Sequence, residues 1–366
     1  MSGKAMSGKA GVGAGVENPL ALVMQGGGAL GAYEWGAVTE LCAQGYTPVA
    51  VTGVSIGAIN AAAIAGAPGG DIPASLASLW AAIAVDPPPF WPPPFWPPPF
   101  WPQAAAAWSM LGNPNFFLPR SDVLDAAHWT GLCDVTPMRR TLERLCRFDQ
   151  IRDPDHMLFG VSATDVATGR SARFLNTRET ITACHILASG ALPPGFPPVE
   201  IDGRHYWDGG LFDNTPMRAM IDLLVCAGLD EVPIVVIDLF PGDGPAEAIP
   251  RNMAEVHGRL TEIAYENRFW DDFGGPEGLA ESARVFGEII DLLPADHDLR
   301  ETRAGRHLDG LRRLRHLHVI PAPHAAMTGG VDFSRATLAR RFETGRLAAQ
   351  ECLPPRRGRI GPAAAG

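Results

Sequence analysis

A serine between two glycines, Gly53-Val54-Ser55-Ile56-Gly57, follows the run Val49-Ala50-Val51-Thr52 and leads into a string of small helix formers. In a G-x-S-x-G elbow the serine sits on a strained strand-to-helix turn with its hydroxyl exposed above a sheet, and flanking glycines such as Gly53 and Gly57 avoid backbone clashes. The chemistry this suits is acyl transfer, which needs a nucleophile, a base and donors aimed at an oxyanion. Ser55 is the candidate nucleophile; the plainer alternative is a serine filling a tight turn. Gly26-Gly27-Gly28 lies one strand-helix unit earlier, at the C-terminal end of the strand expected beside the elbow strand. Glycines let backbone N–H groups turn towards a substrate with no Cβ in the way, and a following helix N-terminus adds positive potential, so Gly26, Gly27 and Gly28 form a candidate oxyanion hole. Asp208, in Trp207-Asp208-Gly209-Gly210, is a candidate base. A carboxylate can take a serine proton directly if it is within reach and partly desolvated. Gly209 and Gly210 would let the chain bring it close, although Asp-Gly is also a common turn pair.

Rival assignments use the same residues. Gly26-x-Gly28-x-x-Gly31 is literally the dinucleotide fingerprint, which also requires an acidic residue about 20 positions on, at the end of the second strand. No Asp or Glu occurs between Leu41 and Gly70, and the second strand runs straight into the Ser55 turn. Nucleotide binding loses its support there. A Ser-His-Asp triad in hydrolase order would draw on His318 or His324. Asp238, at a strand end, is the competing carboxylate. His205 and Asp202 read as turn and surface residues, and Asp165 and Asp213 as caps.

These groups need elements to position them. Leu20–Met24 reads as a buried strand, Ala29–Gln44 as a helix, Val49–Thr52 as the next strand and Ala58–Ala65 as the next helix. That succession predicts an α/β fold with a mostly parallel central sheet and helices on both faces. A hairpin follows from Leu158 (LFGVSATDV, ATGR, SARFLNT), then a helix at Ile181–Ala188. Asn214-Thr215-Pro216 supplies cap residues before a helix at Met217–Cys226, and Val232–Phe240 is another buried strand. Beyond residue 245 the pattern turns to charged amphipathic helices, at Asn252–Trp270, Glu277–Leu293 and Phe333–Cys352, with a short strand at His318–Ile320. The arginines of 302–315 read as a solvated face.

Composition narrows the partners. The chain has 366 residues, 46% hydrophobic and 19% charged, with a formal net charge of −10, and this balance speaks against nucleic acid as the main partner. Six scattered cysteines without a C-x-x-C pair suggest reduced thiols in a cytoplasmic protein, with no metal site and no disulfide framework. No window reaches the roughly 18 consecutive apolar residues of a membrane span, which leaves peripheral contact with lipid open. Residues 1–17, with their repeated MSGKA, read as a flexible leader or an expression remnant. Residues 86–102 carry three copies of PPPFW, an extended polyproline segment. It is either an idle insertion, or a set of rings suited to a lipid interface or a lid over an apolar pocket.

The four stretches QGGGALGAY, GVSIG, ASGALPPGFPPVEIDG and YWDGG, in this order, resemble the patatin-like phospholipase family over about residues 18–245. The resemblance implies a three-layer sheet fold, no cofactor, and a Ser-Asp dyad without histidine that hydrolyses lipid acyl esters. Ser55 matches its nucleophile, Asp208 its base, and Gly26, Gly27 and Gly28 its oxyanion loop. In that family the loop usually carries Arg or Lys before its last glycine; here Leu30 stands there, which puts preference for a charged head group in question. The helical stretch 246–355 resembles the extension of a bacterial subgroup, and 356–366 reads as a flexible tail. The expected substrate is a lipid or acyl ester of phospholipase A or lysophospholipase type. Alternatives are another carboxylic ester, such as a hydroxyalkanoate oligomer, cleaved by the same dyad, or a non-catalytic lipid-binding scaffold.

Overall fold

The computed structural model describes residues 15–86, 108–240, 249, 256, 259, 263, 265, 273–323 and 330–353. The PPPFW segment beyond Asp86, most of the expected helix at 252–270, His324, the leader before residue 15 and the tail at 356–366 lie outside them.

Among the described residues, eight strands form one sheet: β1 (Pro19–Met24), β2 (Thr47–Gly53), β3 (Leu158–Asp165), β4 (Arg170–Leu175), β5 (Val199–Ile201), β6 (Arg204–Asp208), β7 (Ile234–Asp238) and β8 (Leu317–Pro321). Their order is β8-β7-β1-β2-β3-β6-β5, with β4 also paired to β3. The five strands from β8 to β3 run parallel. β4 and β6 pair with β3 antiparallel, as β5 does with β6, so the sheet is mixed but mostly parallel.

Period-two alternation along β1 separates the two faces of the core. Leu20, Leu22 and Met24 pack with α1 (Gly31–Ala43), α2 (Ile56–Ala65) and α3 (Ile72–Ile83) in one cluster. Ala21 and Val23 pack on the other face with α6 (Met217–Ala227), α7 (Pro276–Asp291) and α8 (Arg303–Leu311). α4 (Thr136–Leu145), α5 (Ala183–Ser189) and α9 (Arg335–Cys352) belong to the first face through Met138, Ile186 and Leu338. With apolar helices on both sides, β1 is buried along nearly its whole length, as parallel central strands are. This is the expected three-layer α/β fold.

The chain beyond residue 245 returns to this sheet. β8 adds to β7 in parallel register, and α9 lies along α1, with Trp35 and Phe342 rings 4.3 Å apart and Arg346 paired to Glu40 at 3.1 Å. Among the described residues, no helix is long and apolar enough to cross a membrane.

One feature of β3 builds the site. Its first residues pair with β2 up to Gly53 opposite Val161, while its last pair with β6 from Asp208 opposite Ala163. β4 occupies the other edge from Gly160 to Asp165, so β2 and β6 share one edge of β3. β2 runs parallel to β3 and β6 antiparallel, so their C-terminal ends meet head on. Val161 and Ala163 are two positions apart, a gap of roughly 7 Å along a strand. Ser55 follows one end of that gap and Asp208 closes the other.

Candidate active site

Ser55 caps α2 with φ 54° and ψ −122°, a left-handed backbone that a non-glycine residue adopts only under strain. The surroundings enforce it. The Ser55 N–H donates to the Ser189 carbonyl at 3.0 Å and lies 3.1 Å from Ser189 Oγ, which itself donates to the Ser162 carbonyl on β3 at 2.6 Å. A Cβ on Gly53 would fall 2.2 Å from the Gly57 carbonyl oxygen, and one on Gly57 would fall 2.6 Å from the Met24 and Gln25 carbonyl oxygens. The turn closes this tightly only with glycine at both places. The helix therefore starts at Ile56, two residues before its expected start, directly out of the strained serine.

Asp208 is fully buried. Its N–H donates to the Ala191 carbonyl at 3.0 Å and its carbonyl accepts from the Thr164 hydroxyl at 2.9 Å. Oδ1 accepts the Gly210 N–H at 2.8 Å, while Oδ2 is buried without a hydrogen-bond partner. Burial pushes this carboxyl up to about 7, opposed by the Ser55 hydroxyl and the Gly210 N–H. Ser55 is thus close enough to act on the carboxylate, although the pair falls short of a formed hydrogen bond. A Cβ on Gly209 would lie 2.3 Å from the Ser162 carbonyl oxygen, and one on Gly210 would lie 2.2 Å from the ring of Tyr265.

Tyr265 reaches the site from the C-terminal part of the chain. Its ring is buried, stacks on Phe240 at 6.0 Å, and has its hydroxyl pKa pushed well up by burial and by the nearby Asp208 charge.

The glycine loop runs against the serine, since a Cβ on Gly26 would lie 3.0 Å from Ser55 Cβ. Gly26 differs from its expected role. Its N–H is committed to Asn214 Oδ1 at 2.9 Å, and Asn214 Nδ2 donates back to the Gly26 carbonyl at 3.2 Å and to the Tyr265 carbonyl at 3.1 Å. A donor already satisfied by a buried amide is not available to an oxyanion. The Gly27 and Gly28 N–H groups, and that of Ile56, have no partner among the described residues. Leu30, where the resemblance expects a cation, is buried and packs close to Gly27.

Asn214 is the residue that local sequence misassigned. Pro216 is the N-cap of α6, no side chain caps that helix, and the Asn214 amide instead ties the glycine loop to the loop after Asp208. Truncating it would leave the buried Gly26 N–H and carbonyl unpaired, at about 1–3 kcal/mol for each group. Asn214→Ala is therefore expected to destabilise the protein by at least about 2 kcal/mol in a denaturant titration. Its turnover should also fall by about tenfold or more, because the donors would no longer be held in place.

The other candidates sit elsewhere. Asp213 accepts the Thr215 N–H at 3.1 Å, and burial raises its pKa to about 6. Asp165 accepts the Thr168 N–H at 2.9 Å and pairs with Arg204 at 2.5 Å. Asp202 (φ 50°) and Gly203 (φ 74°) form the two-residue turn between β5 and β6, and His205 on β6 is exposed. Asp238 ends β7, two strands from β2, with Oδ1 accepting the Phe240 N–H at 3.1 Å. His318 is on β8, three strands from β2 and so roughly 14 Å to the side. Neither approaches Ser55 as Asp208 does. Among the described residues, no group of three or more His, Cys, Asp or Glu could hold a metal ion.

Residues 22–221 match the family model for patatin-like phospholipase. Among solved structures, the crystal structure of VipD from Legionella pneumophila matches at 15% identity and a TM-score of 0.39, over 91% of this chain and 66% of that one. This chain thus spans 66% of VipD's length. Comparison with curated proteins gives no match.

Proposed function

The chain belongs to the patatin-like phospholipase family, and from that premise we propose that it is a serine acyl hydrolase of lipid carboxylic esters working through a Ser55–Asp208 dyad. The observation that carries this is a strained serine facing a buried carboxylate whose free oxygen, Oδ2, has no partner of its own. Asp208 takes the Ser55 proton as Oγ bonds to the ester carbonyl carbon. The carbonyl oxygen becomes an oxyanion, met by the Gly27 and Gly28 N–H groups. As the tetrahedral adduct collapses, the bond to the leaving oxygen breaks and Asp208 gives that oxygen its proton, leaving an acyl-Ser55 ester. Asp208 then takes a proton from water, the hydroxide adds to the acyl carbon, and Ser55 departs with the proton returned to it. A base with a pKa near 7 is well matched to this exchange at neutral pH.

The catalytic unit in this proposal is residues 18–245, completed by Tyr265 from the helical region that follows. The substrate approaches as a lipid acyl ester, with peripheral contact at a lipid surface. A second assignment, an uncharged carboxylic ester such as a hydroxyalkanoate oligomer, is favoured by one observation: the glycine loop from Gln25 to Tyr33 holds no cation, Leu30 being buried in the place expected for one.

The test is turnover of p-nitrophenyl acyl esters of increasing chain length, with phosphatidylcholine vesicles and a hydroxyalkanoate oligomer in parallel. Hydrolysis that strengthens with acyl length, with fatty acid released from the vesicles, is the expected result. Preference for the oligomer over the vesicles would move the substrate to the uncharged ester. No turnover of any ester by folded protein would leave a lipid-binding scaffold instead.

A further inference from the structure

One fully buried ionisable group near the site takes no part in the chemistry above. Glu34 lies in the first turn of α1. Its Oε1 accepts the Gln25 N–H at 2.7 Å and its Oε2 accepts from Asn60 Nδ2 at 2.8 Å. Neither donor can turn into an acceptor. A backbone N–H only donates, and Asn60 is locked in its orientation by Trp80 Nε1, which donates to Oδ1 at 2.9 Å, and by the Gly31 carbonyl, which accepts from Nδ2 at 3.0 Å. Position 34 therefore has to present two acceptors, which a carboxyl does and an amide does not.

What Glu34 holds is the entry to the glycine loop. Gln25 directly precedes Gly26. Its side chain is fixed in turn by Thr215 Oγ1, 2.8 Å from Nε2, and by the Leu239 N–H, 2.7 Å from Oε1. With Gly26 clamped by Asn214, the loop is pinned on both residues before Gly27 and Gly28. Building on the hydrolase assignment, we propose that Glu34 is a positioning residue for that reaction, fixing the Gln25 amide and through it the place of the Gly27 and Gly28 donors.

The proton on Glu34 gives the role a signature. Burial pushes its carboxyl up to about 8, opposed by Asn60 and Gln25. β1, α2 and α3, which pack against α1, contribute no titratable side chain. On α9, Arg346 pairs with Glu40 and Glu343, and Arg341 lies against the Asp332 carbonyl. Tyr33, Glu40 and Cys42 are the other titratable groups of α1, and Asp208 is the second raised acid of the site. None of the described cations pairs with Glu34. Below about 8 the acid is neutral; above it a negative charge appears in dry protein next to the loop, where it opposes a developing oxyanion.

The experiment compares the full-length wild type, Ser55→Ala, Glu34→Gln, and the double variant Glu34→Gln with Asn60→Asp, on one p-nitrophenyl ester across pH 6–10. The double variant exchanges acid and amide: a neutral acid at position 60 accepts from Trp80 Nε1 and from the amide at position 34, and its hydroxyl donates to the Gly31 carbonyl, so each donor keeps an acceptor. Glu34→Gln is expected to lower kcat by about tenfold with KM within about twofold, and to lack a decline in kcat that the wild type shows above pH 8. The double variant is expected to recover most of the lost kcat. A folded Glu34→Gln with wild-type kcat would overturn the proposal. If Glu34→Gln does not fold, the double variant decides: a folded double variant with kcat near the wild type supports the proposal, and a folded one whose kcat stays about tenfold low overturns it. Should Ser55→Ala keep wild-type hydrolysis, the hydrolase assignment itself fails; an inactive Ser55→Ala beside an unimpaired Glu34→Gln removes only the role of Glu34.

Discussion

Ser55→Gly is expected to yield a protein that is more stable than the wild type and does not hydrolyse esters. The two effects have one cause. A residue with a side chain at φ 54° and ψ −122° stores about 1–3 kcal/mol of backbone strain, and glycine adopts the same conformation without it. Part of that gain is returned because glycine makes the unfolded chain more flexible, which leaves a net stabilisation of about 1 kcal/mol. Catalysis meanwhile loses its nucleophile, and the rate should fall by about 10⁴-fold or more, to whatever the oxyanion donors and binding alone supply. Ser55→Ala separates the effects: it is equally inactive, but it keeps the strain and gains nothing in stability. Denaturant titrations of the three proteins, with initial rates and labelling by a fluorophosphonate, measure both. Residual turnover above a tenth of the wild type, or a Ser55→Gly protein no more stable than Ser55→Ala, would break the link between strain and function.

That link is also why the elbow was legible from sequence. Gly53, Ser55 and Gly57 satisfy steric needs within five residues and against the adjacent strand, so the pattern carries its own reason. The same holds for β1 and β2, whose unbroken apolar runs follow from burial on both faces. Asn214 is not legible in its own segment, because the local string Asn-Thr-Pro looks like a helix start, whereas its partner Gly26 is 188 residues away. Ser189, Tyr265 and the Glu34–Asn60–Trp80 chain escaped for the same reason: each is an ordinary residue type in its own segment and gains meaning only from contacts across the sheet. β8 was expected as a short strand, but its place beside β7 could not be read from residues 318–320. That place is what moves His318 roughly 14 Å sideways from the elbow. Gly26 shows the limit from the other side. Its neighbours make it look equivalent to Gly27 and Gly28, and only the Asn214 amide takes it out of the set.

Asp208→Asn should cost nearly as much activity as loss of the nucleophile, about 10³-fold or more, while making the protein more stable at alkaline pH. The variant keeps an oxygen for the Gly210 N–H and nearly the same shape, so the loss falls on proton transfer. In the wild type the base works only when ionised, so kcat/KM is expected to rise with pH through about 7. Stability runs the opposite way. Burial raises this carboxyl from 3.8 to about 7, so between those values the native state holds a proton that the unfolded chain has released. Stability therefore falls as pH climbs through that window, and above it the native state carries a buried charge. The difference of about 3 pH units corresponds to roughly 4 kcal/mol at most. Asparagine carries no such charge. Asp208→Asn should thus exceed the wild type in stability by a few kcal/mol at pH 8 and by little near pH 4, where both side chains are neutral. Denaturant titrations at the two pH values isolate this term, because every other group is common to both proteins. A stability difference independent of pH would mean that Asp208 does not carry a raised pKa. An active Asp208→Asn enzyme would require another base within reach of Ser55, and neither Asp238, two strands away, nor His318, three strands away, is placed to be it.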